Sequence, residues 1–79
     1  MRITAQYFAV FREKVGLDSE ELDTFASTVS ELFEEVAVRH GFADTPDRCK
    51  VAINDELSSW SSSLKEGDVV LFFPPVAGG

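Results

Sequence analysis

The segment Val69-Val70-Leu71-Phe72-Phe73 is apolar at every position and follows a turn at residues 65–68. An unbroken apolar run of this length after a turn is typical of a strand that is buried on both faces. Because side chains alternate along a strand, we expect Val70 and Phe72 to point into one core. The opposite face then carries a second apolar stripe of three residues: Val69, Leu71 and Phe73.

The N-terminal part of the chain predicts two further strands and a short helical turn. Residues 2–8 alternate in polarity, which is typical of a half-buried strand. Residues 9–15 are interpreted as a helical turn, because Gly16 suits the left-handed position that follows a helix. A weaker strand is expected at residues 20–25.

One amphipathic helix is predicted after these strands. Thr28 and Glu31 have the spacing of a capping box, in which a hydroxyl and a carboxylate satisfy the first free amides of a helix. Gly41 supplies the stop. Between these signals, four apolar residues and a histidine recur at helical spacing: Val29, Leu32, Phe33, Val36 and His40.

The remaining segments predict a polar loop at 42–49, a strand at 50–53, a turn at 54–55 and a short strand at 57–60. This order indicates an α+β domain, with a mixed sheet of four or five strands and one main helix on one face. The helix leaves the other face of the sheet uncovered. We therefore expect the stripe on that face to bind a partner, the alternative being a loop of the chain that folds over it.

Composition restricts the classes of function. The 79 residues suffice for one small domain without a deep catalytic cleft, and the net charge of −7 disfavours nucleic acid and anionic lipid as partners. That charge favours either solubility or attraction to a basic partner, and it does not choose between them. The sequence contains no apolar run long enough for a membrane span. Cys49 is the single cysteine, so a reducing, cytoplasmic compartment is expected.

The sequence contains no pattern that predicts catalysis. It has no Gly-rich phosphate loop, no metal-ligand spacing and no nucleophile paired with a base. His40 suits packing or the helix dipole, and Cys49 has no CxxC partner. The glutamate pairs at 20–21 and 34–35 are interpreted as solvated faces. We expect a domain that binds no metal or cofactor and is not a catalyst by itself.

The C-terminal stretch Pro74-Pro75-Val76-Ala77-Gly78-Gly79 has the composition of a tail that projects from a domain at residues 1–73. The two prolines lack amide donors and end any strand, while the small last residues would pass through a narrow channel. The Gly79 carboxylate is the remaining group for chemistry. A carboxylate is a poor electrophile, so a nucleotide-binding partner must first activate it to an acyl-phosphate or acyl-adenylate. The activated carbonyl would accept an amine or sulfide.

Several short motifs carry a family resemblance: Tyr7-Phe8-Ala9, Arg12-Glu13, Val15-Gly16, Val51-Ala52-Ile53-Asn54 before Leu57, Leu64 with Gly67-Asp68, and residues 72–79. In these motifs, and across nearly its whole length, the chain resembles the small subunits of molybdopterin synthase, which are sulfur carriers with a ubiquitin-like β-grasp fold. Ala77 stands where that family commonly has Thr or Ser.

The resemblance implies that an ATP-dependent activating enzyme adenylates Gly79 and that a sulfur donor converts it to a thiocarboxylate. The tail would then enter the synthase large subunit and deliver sulfur to cyclic pyranopterin monophosphate. Stripe and resemblance together predict these partner-binding residues: Leu57, Val69, Leu71, Phe73, Pro74, Pro75, Val76, Ala77 and Gly78. Three alternatives stay open, namely a sulfur carrier for thiamine or tRNA thiolation, a ubiquitin-like protein modifier and a plain interaction module.

Overall fold

The computed structural model describes residues 1–8, 10–41 and 49–73. The elements of this part follow the order that the sequence predicts. They are β1 (Arg2–Tyr7), α1 (Val10–Val15), β2 (Ser19–Asp23), α2 (Val29–His40), β3 (Lys50–Ile53), β4 (Glu56–Ser58) and β5 (Val69–Phe73).

The apolar strand β5 lies at the centre of a five-stranded sheet with the order β2-β1-β5-β3-β4. It runs parallel to β1 and antiparallel to β3, and the outer pairs β1-β2 and β3-β4 are antiparallel. A hydrogen-bonded neighbour on each side and apolar side chains on both faces are the environment that the β5 sequence predicts. The expected α+β architecture with a mixed sheet is confirmed.

Helix α2 covers one face of this sheet, which we call the inner face; the opposite face is the outer face. The Thr28 hydroxyl accepts a hydrogen bond from the Glu31 amide at 3.3 Å, and the Glu31 carboxylate accepts one from the Thr28 amide. Gly41 ends the helix at a φ of 74°, where a side chain would be strained. Both predicted helix signals are therefore confirmed.

The core lies between α2 and the inner face. Its largest fully buried side chains come from both helices and from the strands β1, β3 and β5. They are Ile3, Phe11, Val29, Leu32, Phe33, Val36, Val51, Val70 and Phe72.

Strand β2 ends at Asp23, two residues before its predicted end. The Thr24 hydroxyl donates to the Glu35 carboxylate at 2.7 Å and accepts from the Ala26 amide at 3.0 Å. These bonds direct the chain towards α2 and leave the next side chain, Phe25, fully exposed. Side-chain bonds of this kind compete with strand pairing, and a polarity pattern does not reveal them.

The segment after β3 also differs from its prediction. Strand β4 covers Glu56–Ser58, and Trp60 belongs to a turn instead of the strand. The Trp60 ring packs against Phe33, with ring centroids 5.2 Å apart, and stacks on Phe72. Contact with these core aromatic rings therefore replaces strand pairing at this position.

Most of the predicted loop at 42–49 lies outside the described residues. Its last residue, Cys49, is described and is only 3% exposed, so it belongs to the core and not to a polar loop. Within the described part of the chain, neither helix is long and apolar enough to cross a membrane.

Candidate functional site

The outer face of the sheet carries the apolar stripe that the sequence predicts on β5. Val70 and Phe72 are 0% exposed in the core, whereas Val69, Leu71 and Phe73 alternate with them and are partly exposed. The predicted division of β5 between two faces is confirmed. Val69, Leu71 and Phe73 are only partly exposed because β5 is the central strand and its neighbouring strands shield each side chain laterally.

Strand register extends the stripe across the sheet to one edge. Leu71 lies opposite Gln6 of β1 and Ala52 of β3, and Ala52 in turn lies opposite Leu57 of β4. Residues directly opposite each other share a face. Leu57 is 78% exposed. The predicted site residue Leu57 therefore lies on the same face as the stripe.

Phe8 joins this face directly after β1. It is 54% exposed, and its ring meets Phe73 edge-on with centroids 5.9 Å apart. The sequence-based predictions did not assign Phe8 to this face. An aromatic residue in line with the polar residues of the alternating strand β1 was nevertheless a local indication of an apolar patch on the outer face. We call the resulting patch the outer apolar surface, and it consists of Phe8, Ala52, Leu57, Val69, Leu71 and Phe73.

The outer apolar surface reaches Phe73, the residue that precedes the predicted tail. The remaining predicted site residues lie outside the described part of the chain, and their contacts stay predictions. They are Pro74, Pro75, Val76, Ala77, Gly78 and Gly79.

Besides the outer apolar surface, a polar cluster lies on the inner side of the sheet, around the Glu20 carboxylate. The Tyr7 hydroxyl donates to Glu20 Oε2 at 2.6 Å, and His40 Nε2 contacts the same oxygen. Arg39 approaches the other oxygen at 4.0 Å. Burial by itself would raise the pKa of Glu20, but these hydrogen bonds and the charges of His40 and Arg39 outweigh it and lower the pKa.

This cluster links β1, β2 and the end of α2. Burial, and then the hydrogen bond and charge of Glu20, raise the pKa of Tyr7, so its hydroxyl stays protonated. The Glu20 side chain is 15% exposed, so the prediction of a solvated carboxylate at this position was wrong. The register explains the error, because Glu20 lies opposite Ala5 and therefore shares its inner face.

The described residues provide a binding surface and no assembled catalytic centre. Among them, no group of three or more His, Cys, Asp or Glu side chains could hold a metal ion. The outer apolar surface is suited to binding another protein. Chemistry at residue 79 would have to be supplied by that partner or by another one.

Comparison with known proteins gives a consistent result. Residues 5–79 match the ThiS family. The chain is 38% identical over 80 residues to the molybdopterin synthase sulfur carrier subunit of Escherichia coli (strain K12), covering 98% of this chain and 99% of the relative.

Two solved structures extend the likeness to the fold. The putative molybdopterin converting factor subunit 1 from Pyrococcus furiosus is 36% identical, with a TM-score of 0.80 and coverage of 96% of this chain and 99% of the other. A protein-protein complex of subunits 1 and 2 of molybdopterin-converting factor from Helicobacter pylori 26695 contains a chain that is 26% identical. It matches with a TM-score of 0.68, and the match covers 100% of this chain and 100% of the other.

Proposed function

We propose a function from the premise that this chain belongs to the ThiS family: it is the sulfur carrier subunit of a molybdopterin synthase. The observation that carries the proposal is the full-length similarity to carrier subunits of that synthase. The chain is accordingly a carrier that acts with a partner subunit, and it is not a catalyst by itself.

We assign the outer apolar surface to the synthase large subunit. The Helicobacter pylori relative is a complex of subunit 1 with subunit 2, which supports a partner of this kind. An apolar patch around an exposed leucine and an exposed phenylalanine is what a subunit interface would cover. The contact residues are those of the outer apolar surface together with the tail residues Pro74, Pro75, Val76, Ala77 and Gly78.

The chemistry is assigned to the carboxylate of Gly79. An activating enzyme joins this carboxylate to the α-phosphate of ATP, and pyrophosphate leaves. Hydrosulfide then attacks the acyl-adenylate carbonyl, AMP departs as the leaving group, and loss of the S–H proton gives the thiocarboxylate. Within the large subunit the thiocarboxylate sulfur bonds to a carbon of cyclic pyranopterin monophosphate as a carbon–oxygen bond of that carbon breaks. Water then hydrolyses the resulting acyl thioester, so that the sulfur stays on the pterin and the carboxylate of Gly79 is restored. The chain itself supplies the carbonyl, the narrow approach at Gly78 and the docking surface.

This sequence of steps also fits the cytoplasm as the site of action. ATP is consumed by the activating partner, and the single cysteine of the chain, Cys49, is buried in the core and cannot form a disulfide within the chain. No cofactor has to be bound by the carrier for any of these steps.

Intact-mass spectrometry tests the chemistry. The chain is incubated with ATP, its activating enzyme and sulfide, and we expect the mass increase that corresponds to exchange of one oxygen for one sulfur. A Cys49→Ala variant should show the same increase, whereas a variant without Gly79 should show none. A persistent increase without Gly79 would contradict the carrier assignment.

The same preparation separates the alternatives. A thiocarboxylated chain that supports molybdopterin formation with the large subunit is the expected result. Thiocarboxylate that is used for thiamine or tRNA thiolation instead would place the chain in another branch. Abundant isopeptides between Gly79 and lysines in cell extracts, with intact molybdenum enzymes, would make it a protein modifier.

A further inference from the structure

One lysine lies at the border of the outer apolar surface. Lys50 is the first residue of β3, it is exposed, and it lies directly opposite Phe73 of β5. Because opposite residues share a face, the Lys50 side chain lies on the same outer face as Phe73, the last described residue of the chain. The sequence pattern did not assign a role to this residue.

Lys50 differs in its partners from the other cations near the sheet. Arg2 also lies on the outer face, but it pairs with Asp23 at 3.4 Å. Arg12 and Arg39 approach Asp18 and Glu20. Within residues 1–8, 10–41 and 49–73, no ion pair involves Lys50. In a chain of net charge −7, this is a cation that the described fold leaves unpaired on its docking face.

Protection of a sheet edge does not explain this lysine. Lysines on edge strands keep sheets from pairing with one another. β3, however, is an internal strand with β5 on one side and β4 on the other. The Lys50 ammonium group is therefore available to pair with a group that binds over this face.

The opposite side of the same face carries an exposed carboxylate. Glu21 of β2 is exposed and lies opposite Thr4, which in turn lies opposite Val69. Three strand spacings and four residues separate Glu21 from Lys50, which corresponds to a diagonal of about 20 Å. The outer apolar surface thus lies between a cation at one corner and a carboxylate at the other.

We propose that Lys50 forms an ion pair with a carboxylate of the large subunit, and that Glu21 faces a basic group of the same partner about 20 Å away. This inference rests on the proposed function, because it takes the large subunit as the occupant of the face. Rim charges of this kind raise the association rate and select one orientation of docking, while the apolar centre provides the area. The remaining negative charge of the chain would repel an acidic partner surface, so Lys50 marks the place where such a surface is accepted.

Charge reversal measures both contacts. The full chain carrying Lys50→Glu, Lys50→Gln, Glu21→Lys or the matched control Lys65→Glu is titrated against the cognate large subunit. Lys65 is exposed in the turn before β5, so this control introduces the same charge change outside the docking face. Association rates are measured at low salt and again at high salt, and thermal melts verify folding.

We expect Lys50→Glu to slow association at least about fivefold at low salt and Lys50→Gln to have a smaller effect. Lys65→Glu should stay within about twofold of the original chain, and high salt should remove most of the difference. Glu21→Lys should also slow association. A charge-reversed carboxylate in the large subunit should restore the rate of Lys50→Glu, since contacting residues couple in a double-mutant cycle.

Two results are distinguishable failures. If the original chain does not bind the large subunit, the proposed function falls. If it binds and Lys50→Glu associates at the rate of Lys65→Glu, or faster, the assignment of Lys50 to a partner carboxylate is overturned while the function stands. If Glu21→Lys associates as fast as the original chain, or faster, the assignment of Glu21 to a basic group of the large subunit is overturned in the same way.

Discussion

At the scale of single residues, Glu20 of β2 contacts Tyr7 at the end of β1 and His40 at the end of α2. Its lowered pKa means that the ionised form is favoured by folding, so this stabilisation is present above the ordinary glutamate range and is lost as the pH falls through the folded pKa. We expect Glu20→Gln to cost about 1 to 3 kcal/mol at neutral pH. Denaturant unfolding at a series of pH values should show this difference shrinking in acid. Glu34→Gln, on the exposed side of α2, is the control, and a difference for Glu20→Gln that does not change with pH would contradict the prediction.

The neighbouring residues Phe72 and Phe73 separate stability from binding. Phe72 is fully buried, and its ring lies 5.4 Å from that of Phe33 and stacks on Trp60. Phe72→Ala should therefore lower the free energy of unfolding by about 3 to 5 kcal/mol.

Phe73 faces outward, so Phe73→Ala should weaken binding of the large subunit about 10- to 100-fold. The weakening corresponds to roughly 1.5 to 3 kcal/mol of binding free energy, which is lost because the phenylalanine ring is no longer buried at the interface. Melts and titrations of both variants check this. A severe melting loss for Phe73→Ala with unchanged affinity would show that the outer face is not the interface.

At the scale of elements, the cap of α2 sets how the helix begins over the inner face. Thr28→Ala removes the hydroxyl that accepts the Glu31 amide and should cost about 1 kcal/mol, a decrease in melting temperature of about 4 to 8 °C. Thr28→Ser keeps the hydroxyl and should melt close to the original chain. Equal losses in both variants would mean that the methyl group, and not the cap, stabilises this position.

The elements with strong local signals are those that the sequence predicts well. β5 and α2 carry an uninterrupted apolar run and a capping box, and both lie within a residue of their predicted bounds. β4 and the end of β2 depend on distant partners, Phe33 for Trp60 and Glu35 for Thr24, which no local pattern contains. For the same reason the stripe on β5 was predictable, whereas the place of Phe8 beside Phe73 required the register between strands.

The charges of the candidate site illustrate a further limit of sequence reasoning. Glu20 and Glu21 are adjacent in the chain, yet one lies in the inner cluster and the other on the outer face. Lys50 acquires its meaning only because β3 pairs with β5 and places it opposite Phe73. Alternation assigns residues to two faces, but the identity of each face depends on which strands pair.

At the scale of the whole molecule, folding and sulfur transfer should be separable along the chain. The core joins α1, α2 and the strands β1, β2, β3 and β5, and all of its described members precede residue 73. We therefore expect a chain truncated after Phe73 to melt within about 4 °C of the full chain, in a single transition. The same truncation should abolish thiocarboxylate formation, because it removes Gly79.

Deletion of Gly78 and Gly79 alone is the matched control for this truncation. It should also abolish thiocarboxylate formation, but it keeps Pro74, Pro75 and Val76 and should retain more of the affinity for the large subunit. The affinity difference between the two deletions then measures what the apolar part of the tail adds to the outer apolar surface. A truncated chain that melts far below the full chain would show that residues 74–79 belong to the folded domain, and the division at Phe73 would be wrong.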